Sequence, residues 1–535
     1  MSPQESELPM GSAGRESPSR IPTCCPRSPG KEASGVEAPS GRLLHGLVGV
    51  AMGGAVLAGL SGSALGGAAA EAEAPPRRTL VVKPIFTYPL TTRGRQTSWR
   101  NWGGIETPAD VQQEAARIER ELAKLQAAAD FPLRFLPLAS VRRVEEVRGI
   151  PDLAVPDVLL VYAAGDGAGH LTADLNLIGN LGKDVILFVR EKSGPLYYWY
   201  EGVSARYLRQ CTDVAAVKVT ADDVVVDSLD EVLWRLRALA GLHATRGSRI
   251  LAVGGAGAWG APAGQVLQQV HKLWSLDIRT VPYPELGKLI QAARDDPAAV
   301  ASARRRTAEY LKLPDTRLET GAPFVENAFL LEQVFRGLMR QAECRAITIS
   351  GCMSTIMPLA QTTACLALSV LNDAGYLAFC ESDFVVIPSG ILLGNVSGRP
   401  TFLNDPTYPH DGIITLAHCT APRRMDGKSL EPARIMTHFE SDYGAAPKVE
   451  MHNGQKVTNI VPDFKSERWL GLTGEIADHP FLPICRSQID IRFTCDSLLL
   501  AQRMPGFHWM TAYGDWRREL GYALRRVPVQ WECLG

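Results

Sequence analysis

Three stretches in the last third of the chain carry side chains able to hold a cation or move a proton. Glu381-Ser382-Asp383 follows the apolar run 376–380 (YLAFC), read as a buried strand, and precedes a second apolar stretch over 384–393. Carboxylates at the carboxyl end of a buried strand stand where open α/β sheets bind ligands. Asp405 repeats the arrangement, in the turn Asn404-Asp405-Pro406 leaving a short strand over 400–403. His508 lies in the aromatic, strand-like run 507–513 (FHWMTAY), after Pro505-Gly506. Carboxylate oxygens suit Mn²⁺ or Mg²⁺ better than zinc, and an imidazole adds a ligand that can also carry a proton. Each residue taken alone has an ordinary structural role too. An acid after a strand caps a helix, Asp before Pro makes a turn, and a histidine in an apolar run packs in a core.

The joint spacing narrows the choice. Glu381 and Asp405 are 24 residues apart, and His508 stands seven residues before Asp515 in Tyr513-Gly514-Asp515. Over 345–535 this pattern, with a closing helix that runs into Arg526-Val527-Pro528-Val529, resembles the L-fucose isomerase family, part of the fucose and arabinose isomerase superfamily. The likeness is diffuse over 78–345 and absent before 78. It implies that Glu381, Asp405 and His508 hold a manganese ion and that Glu381 and Asp405 are also the catalytic, proton-transferring pair. It implies as well an aldose–ketose isomerisation of a fucose- or arabinose-like monosaccharide through a cis-enediol. In that chemistry a proton moves between C1 and C2 while a developing oxyanion is stabilised, which a hard dication with open positions for two sugar oxygens supports. Members of the family are commonly homo-oligomers in which an N-terminal loop of a neighbour completes the pocket. That assigns substrate contact to Ser98, Trp99 and Arg100, since an indole stacks on a sugar face and a guanidinium binds hydroxyls. His418, in Leu416-Ala417-His418-Cys419, and Trp509 are expected to line the same pocket, with a structural role as the alternative for His418. The segment Thr437-His438-Phe439-Glu440-Ser441-Asp442 borders it, with structural roles expected for His438 and Glu440. The chain departs from the family in being shorter, and Asp515 stands where bacterial members are expected to carry a further histidine. A related subgroup fits better than the named enzyme, and the sugar stays open.

These side chains need a scaffold, and the pattern of runs predicts an α/β fold: two Rossmann-like α/β domains, then a C-terminal α+β domain with a small antiparallel β-barrel or sheet. The first domain, 78–245, has strands over 79–86, 158–163 and 185–189, a helix opened by Thr107-Pro108 and running to 128, and a helix over 230–242. Apolar runs of this length alternating with helices indicate a parallel sheet covered on both faces. The second, 246–345, begins with a strand at 250–253, a helix at 263–274 and a strand at 278–281. Between the first two, Gly255-Ala256-Gly257-Ala258-Trp259-Gly260 satisfies GxGxxG. A dinucleotide site also wants an acid ending the next strand, and Thr280-Val281-Pro282-Tyr283 has none, so a tight turn is expected rather than a nicotinamide site. Trp259 is placed near a ligand pocket at the strand ends. A helix over 327–341 leads into the catalytic domain, 346–535, with a helix over 353–371 and a strand over 376–380. Short, proline- and glycine-broken segments follow over 398–493, and the chain closes with a helix over 516–526 and a strand over 527–531.

Charge excludes one class of partner. Lys plus Arg number 56 against 57 Asp plus Glu, a net −1, so no basic excess holds a nucleic-acid backbone. Eleven cysteines are scattered, with no CxxC pair, which argues against a zinc ribbon or a disulfide-dense scaffold and leaves them expected reduced and buried. Residues 1–42 are too polar and proline-rich for a core and are expected to be disordered. Residues 43–74 read as an export signal: an apolar run after Arg42, then small residues ending Ala68-Ala69-Ala70-Glu71-Ala72. Ser40-Gly41-Arg42-Leu43-Leu44 resembles a twin-arginine signal with one arginine missing. A periplasmic or envelope-associated protein is expected, touching the membrane only through this segment, with an uncleaved anchor or a cytoplasmic protein with a misplaced start as the alternatives. Two functional classes stand: a metal-dependent sugar isomerase, and a non-catalytic sugar-binding protein on the same scaffold.

Overall fold

A computed structural model of the chain describes residues 74–100, 102–165, 178–198 and 219–534. The expected disordered extension and the export segment up to residue 73 lie outside them.

The fully apolar runs pair first. Strands β1 (Leu80–Thr87), β2 (Leu133–Phe135), β3 (Ala139–Val141), β4 (Val158–Ala163), β5 (Asp184–Val189) and β6 (Val224–Val226) form a parallel sheet in the order β2-β1-β4-β5-β6, with β3 beside the second half of β1. Every residue of β4 is buried, as a strand covered on both faces requires. Helix Pro108–Ala128 covers it with Ile118, Leu122 and Leu125, spaced for one helical face. Its start is fixed by a reciprocal cap between Thr107 and Asp110 and by Pro108 at a position with no N–H to satisfy.

The second parallel sheet runs β11-β10-β7-β8, from Leu377–Phe379, Ala346–Ile349, Arg249–Val253 and Asp277–Val281. Strand β9 (Thr316–Glu319) leaves it and joins β14 (Ala433–Met436) and β15 (Ala446–Val449) in a mixed three-stranded sheet. The antiparallel part closes into a six-stranded barrel: β16 (Lys456–Pro462), β19 (Trp509–Tyr513), β12 (Phe402–Pro406), β13 (Ile413–His418), β18 (Ser487–Arg492) and β17 (Arg468–Asp478), with β17 returning to β16 through Lys456↔Glu475. Closure removes the unpaired edges that an open antiparallel sheet would show. The last strand, β20 (Gln530–Leu534), adds to β17 in parallel.

Helix Ile387–Ser397 ties these layers together. All eleven of its residues are buried, and it packs on helix Leu229–Thr245 of the first unit. Gly241 makes that approach possible, because a Cβ there would lie 2.3 Å from Val396 Cγ2 and 2.9 Å from Val396 Cα. A second tie is Trp274 stacked on Trp469 of β17 at 5.3 Å.

Three expectations need correction. The stretch 353–371 is not one helix: a wide turn over Cys352–Ile356 and a short helix Met357–Ala360 are followed by a second helix, Cys365–Asp373, at 88°. Gln361 takes a left-handed φ of 52°, and the hydroxyls of Thr362 and Thr363 bond away to Phe324 O and Ala445 O, drawing the backbone out of register. Asp405 is not in an exit turn but inside β12, paired with Ala417, since Pro406 ends the strand without needing a donor there. The terminal strand starts three residues later than expected, at Gln530.

Asp373, at the carboxyl end of the second bent helix, accepts the Arg424 N–H at 2.8 Å, yet burial outweighs that contact and pushes its carboxyl up to about 7. A folded-state value above the unfolded one means that the native state holds the proton. The stabilisation is therefore full below about pH 4 and is lost as pH rises through about 7. Because Asp373 keeps some solvent contact, the loss between about pH 5 and 8 is expected to be roughly 1–2 kcal/mol. Urea denaturation of Asp373→Asn is expected to lack this slope, and a parent whose stability is flat over that range would rule the effect out.

Candidate metal centre and its cavity

Cys380 ends the buried run after β11, and the next two residues turn sharply: Glu381 and Ser382 have φ of 68° and 48°. Two consecutive left-handed residues other than glycine are strained by about 1–3 kcal/mol each, so their surroundings must hold them. Thr348 Oγ1 accepts the Ser382 N–H at 3.1 Å, and the Ser382 carbonyl accepts the Gly257 N–H at 3.0 Å. The turn aims Glu381 at the barrel mouth. There Asp405 on β12 and His508, the residue preceding β19, lie on adjacent antiparallel strands, and the register Asn404↔Trp509 continues to set Asp405 opposite His508.

The structure brings Glu381, Asp405 and His508 together. His508 Nε2 lies 3.1 Å from Glu381 Oε2 and 3.2 Å from Asp405 Oδ1. Those separations match neighbouring donors around one ion, since ligands about 2.0–2.3 Å from a metal at right angles stand ~2.8–3.3 Å apart. Asp405 Oδ1 and His508 Nε2 are both buried, and neither makes a hydrogen bond. Buried polar atoms are almost always paired in native proteins: a protonated imidazole would pair with both acids here, and a dication fits the same donor set.

Asp383 orients the imidazole. It is 2% exposed, its Oδ2 lies 2.6 Å from His508 Nδ1, and its Oδ1 accepts the N–H groups of Trp259 at 3.1 Å and Val385 at 3.0 Å. A proton held on Nδ1 leaves the Nε2 lone pair free for a ligand, which is how outer carboxylates support metal-bound histidines. His418 stands on the other side of Glu381, with Nε2 3.4 Å from Oε1 and Nδ1 3.0 Å from Thr420 Oγ1.

The electrostatics are those of a site short of positive charge. Burial disfavours charge on His508, but Asp383, Glu381 and Asp405 outweigh it and raise the imidazole to about 10. Burial likewise opposes ionisation of Glu381, yet its contacts with His418 and His508 hold the carboxyl below the usual range. For Asp405, burial prevails over the two histidines and raises the carboxyl. His418 is raised, its burial overcome by Glu381 and Asp405.

These groups border a cavity of about 530 Å³. Trp259 and Phe507 make its aromatic wall, stacked at 6.0 Å with an interplanar angle of 15° and each about half exposed. His418 lines it as expected from the sequence, and so do His438 and Glu440. Trp509 does not: it is fully buried in the core, because side chains alternate along a strand and His508 already faces the cavity. Its place at the ligand surface is taken by Phe507. Ser98, Trp99 and Arg100, expected to serve a neighbouring subunit's pocket, do not line the cavity of their own chain; Arg93 and Arg100 stack on Trp99, and Arg100 pairs loosely with Glu106 at 3.5 Å. Asp515 pairs with Arg517 and is likewise away from the cavity. The GxGxxG loop braces the acidic turn, Gly257 bridging to Asp383.

Sequence reasoning named Asp383 without giving it a role, and it missed the sulphur. Cys352, Cys365, Cys380, Cys419 and Cys485 all line the cavity, though they come from five separate stretches.

No protein-family model matches the chain, and a search of curated proteins finds no match either.

Asp383→Asn is expected to lower Mn²⁺ affinity 10–100-fold, the usual effect of removing an outer-shell carboxylate, with the barrel intact. Calorimetric Mn²⁺ titration checks this, and unchanged affinity would remove Asp383 from the orienting role.

Proposed function

We propose that this chain is a divalent-metal-dependent aldose–ketose isomerase acting on a monosaccharide of the fucose or arabinose kind, with Mn²⁺ or Mg²⁺ held by Glu381, Asp405 and His508. The observation that carries the reading is the convergence of two carboxylates on one buried imidazole nitrogen, with unsatisfied atoms facing each other at the edge of a sugar-sized cavity. Bound there, a hard dication would polarise the two sugar oxygens beside the reacting carbons.

The chain's own groups do the rest. Glu381 and Asp405 each stand beside His508, and one would take a proton from one carbon while the other returned it to its neighbour through a cis-enediol. The Trp259–Phe507 wall offers an aromatic face for the sugar and limits water at the mouth.

A second reading is a binding protein on this scaffold that no longer turns over sugar, since the same cavity and aromatic wall would serve binding alone.

The deciding experiment strips the protein with a chelator, restores Mn²⁺, and screens fucose, arabinose, rhamnose, xylose and phosphorylated or sulfonated hexoses for ketose formation. Turnover that vanishes on chelation and returns with Mn²⁺ is expected. Metal and sugar binding without ketose selects the binding protein, and no metal uptake at all defeats both.

A further inference from the structure

The cysteines form a second system. Sulphur contacts run in one chain from Cys380 to Cys352, Cys365, Cys419 and Cys485. Cys365, Cys419 and Cys485 also pack as a small cluster apart from the two main cores. Beside them stands His438, 7% exposed, on the loop after β14. One donor atom each from Cys419, His438 and Cys485 lies within 4.8 Å of the other two.

We propose that Cys419, Cys485 and His438 bind a thiophilic dication of the zinc class, at a site separate from Glu381, Asp405 and His508, with the fourth position left to water or a ligand. Tetrahedral zinc with Zn–S near 2.3 Å and Zn–N near 2.0 Å sets its ligands ~3.5–3.8 Å apart. A set already within 4.8 Å closes on such an ion with side-chain shifts of about an ångström. Softness decides the ion: thiolates and imidazole select zinc, whereas the oxygen-rich set selects Mn²⁺ or Mg²⁺. His418 and Cys419, consecutive in the chain, carry the two systems on opposite sides, the histidine against Glu381 and the cysteine against Cys365 and Cys485. Each thiol that ligates gives its proton to solvent, so no other reactant is needed. Two sulphurs and an imidazole in one place also suit an ion better than a disulfide, which would join the sulphurs and leave the imidazole idle.

This inference does not depend on the sugar reading. The test is to reduce the full chain, strip it of metal, saturate it with Mn²⁺, and titrate with Zn²⁺ while metal content and N-ethylmaleimide alkylation are followed. One further zinc per chain is expected, with Cys419 and Cys485 protected from alkylation in the unaltered protein. Cobalt in place of zinc is expected to give thiolate-to-metal charge-transfer absorption. Cys419→Ser with Cys485→Ser should lower zinc affinity at least 100-fold and leave Mn²⁺ binding in place, while Glu381→Gln should do the reverse. Zinc uptake that survives the double cysteine change, or reduced protein that takes up no zinc and alkylates at the same rate with and without it, would overturn the proposal.

Discussion

Glu381→Gln and His508→Ala are each expected to cut turnover at least ~10³-fold, about 4 kcal/mol of transition-state stabilisation, in a protein that remains folded. Glu381 keeps 28% of its side chain in contact with solvent, so the amide fills the same space without stranding a buried charge. On the proposed reading, losing the carboxylate would remove one of three ligands and one of two proton-transfer groups together. His508→Ala removes the nitrogen on which both acids converge and leaves Asp383 without the ring it orients. Initial rates with Mn²⁺ restored, beside circular dichroism and Mn²⁺ calorimetry, separate loss of the site from loss of the fold. Either variant working at the parent's rate would defeat the assignment.

The largest stability effect is expected far from the cavity, at Arg190→Met. Arg190 follows β5 and is fully buried, with Nε 2.6 Å from Glu114 Oε1 and 2.8 Å from Tyr197 Oη. Its Nη2 reaches Glu121 Oε2 at 2.7 Å, and the guanidinium lies over the rings of Tyr162, Phe188 and Tyr197. Methionine fills the volume but leaves Glu114, also fully buried, with the Tyr197 hydroxyl at 2.8 Å and, as a compensating charge, only the half-exposed Arg117 at 3.1 Å. Breaking a buried pair from one side destabilises by about 3–5 kcal/mol, because the remaining charge stays desolvated. Removing the charges together, as Arg190→Met with Glu114→Gln and Glu121→Gln, is expected to recover most of the loss. Urea midpoints of the single and triple variants measure this, and a single change within about 1 kcal/mol of the parent would show that the network is not needed.

What the sequence made legible follows from period and burial. Fully apolar runs such as 158–163 announced parallel strands covered on both faces, and the change to short, proline-broken segments after 398 announced the barrel. The two acids and the imidazole were singled out by their joint spacing and the resemblance it carries rather than by local structure, since Asp405 lies inside β12 and not in a turn. Other features depend on contacts that no local pattern encodes. The break at Gln361 arises from threonine hydroxyls reaching partners 38 and 82 residues away. Trp509 was misplaced for a different reason: an aromatic run shows that a strand is buried but not which of its alternate residues faces a cavity. The cysteines escaped because CxxC spacing detects ligands that share a hairpin, whereas Cys419 and Cys485 meet only once β13 and β18 are paired. His418↔Ser487 in that register was the missing piece, since it sets Cys419 near Cys485.

The loop after β7 sends the Trp259 amide to the same carboxylate oxygen that the Val385 amide serves. A fragment trimmed back to residue 346 would thus discard a donor that holds the histidine's proton in place, however well its barrel closed. Grafting or truncation that is to keep this donor must cut upstream of Arg249, and upstream of Leu229 if the helix covering Ile387–Ser397 is to stay.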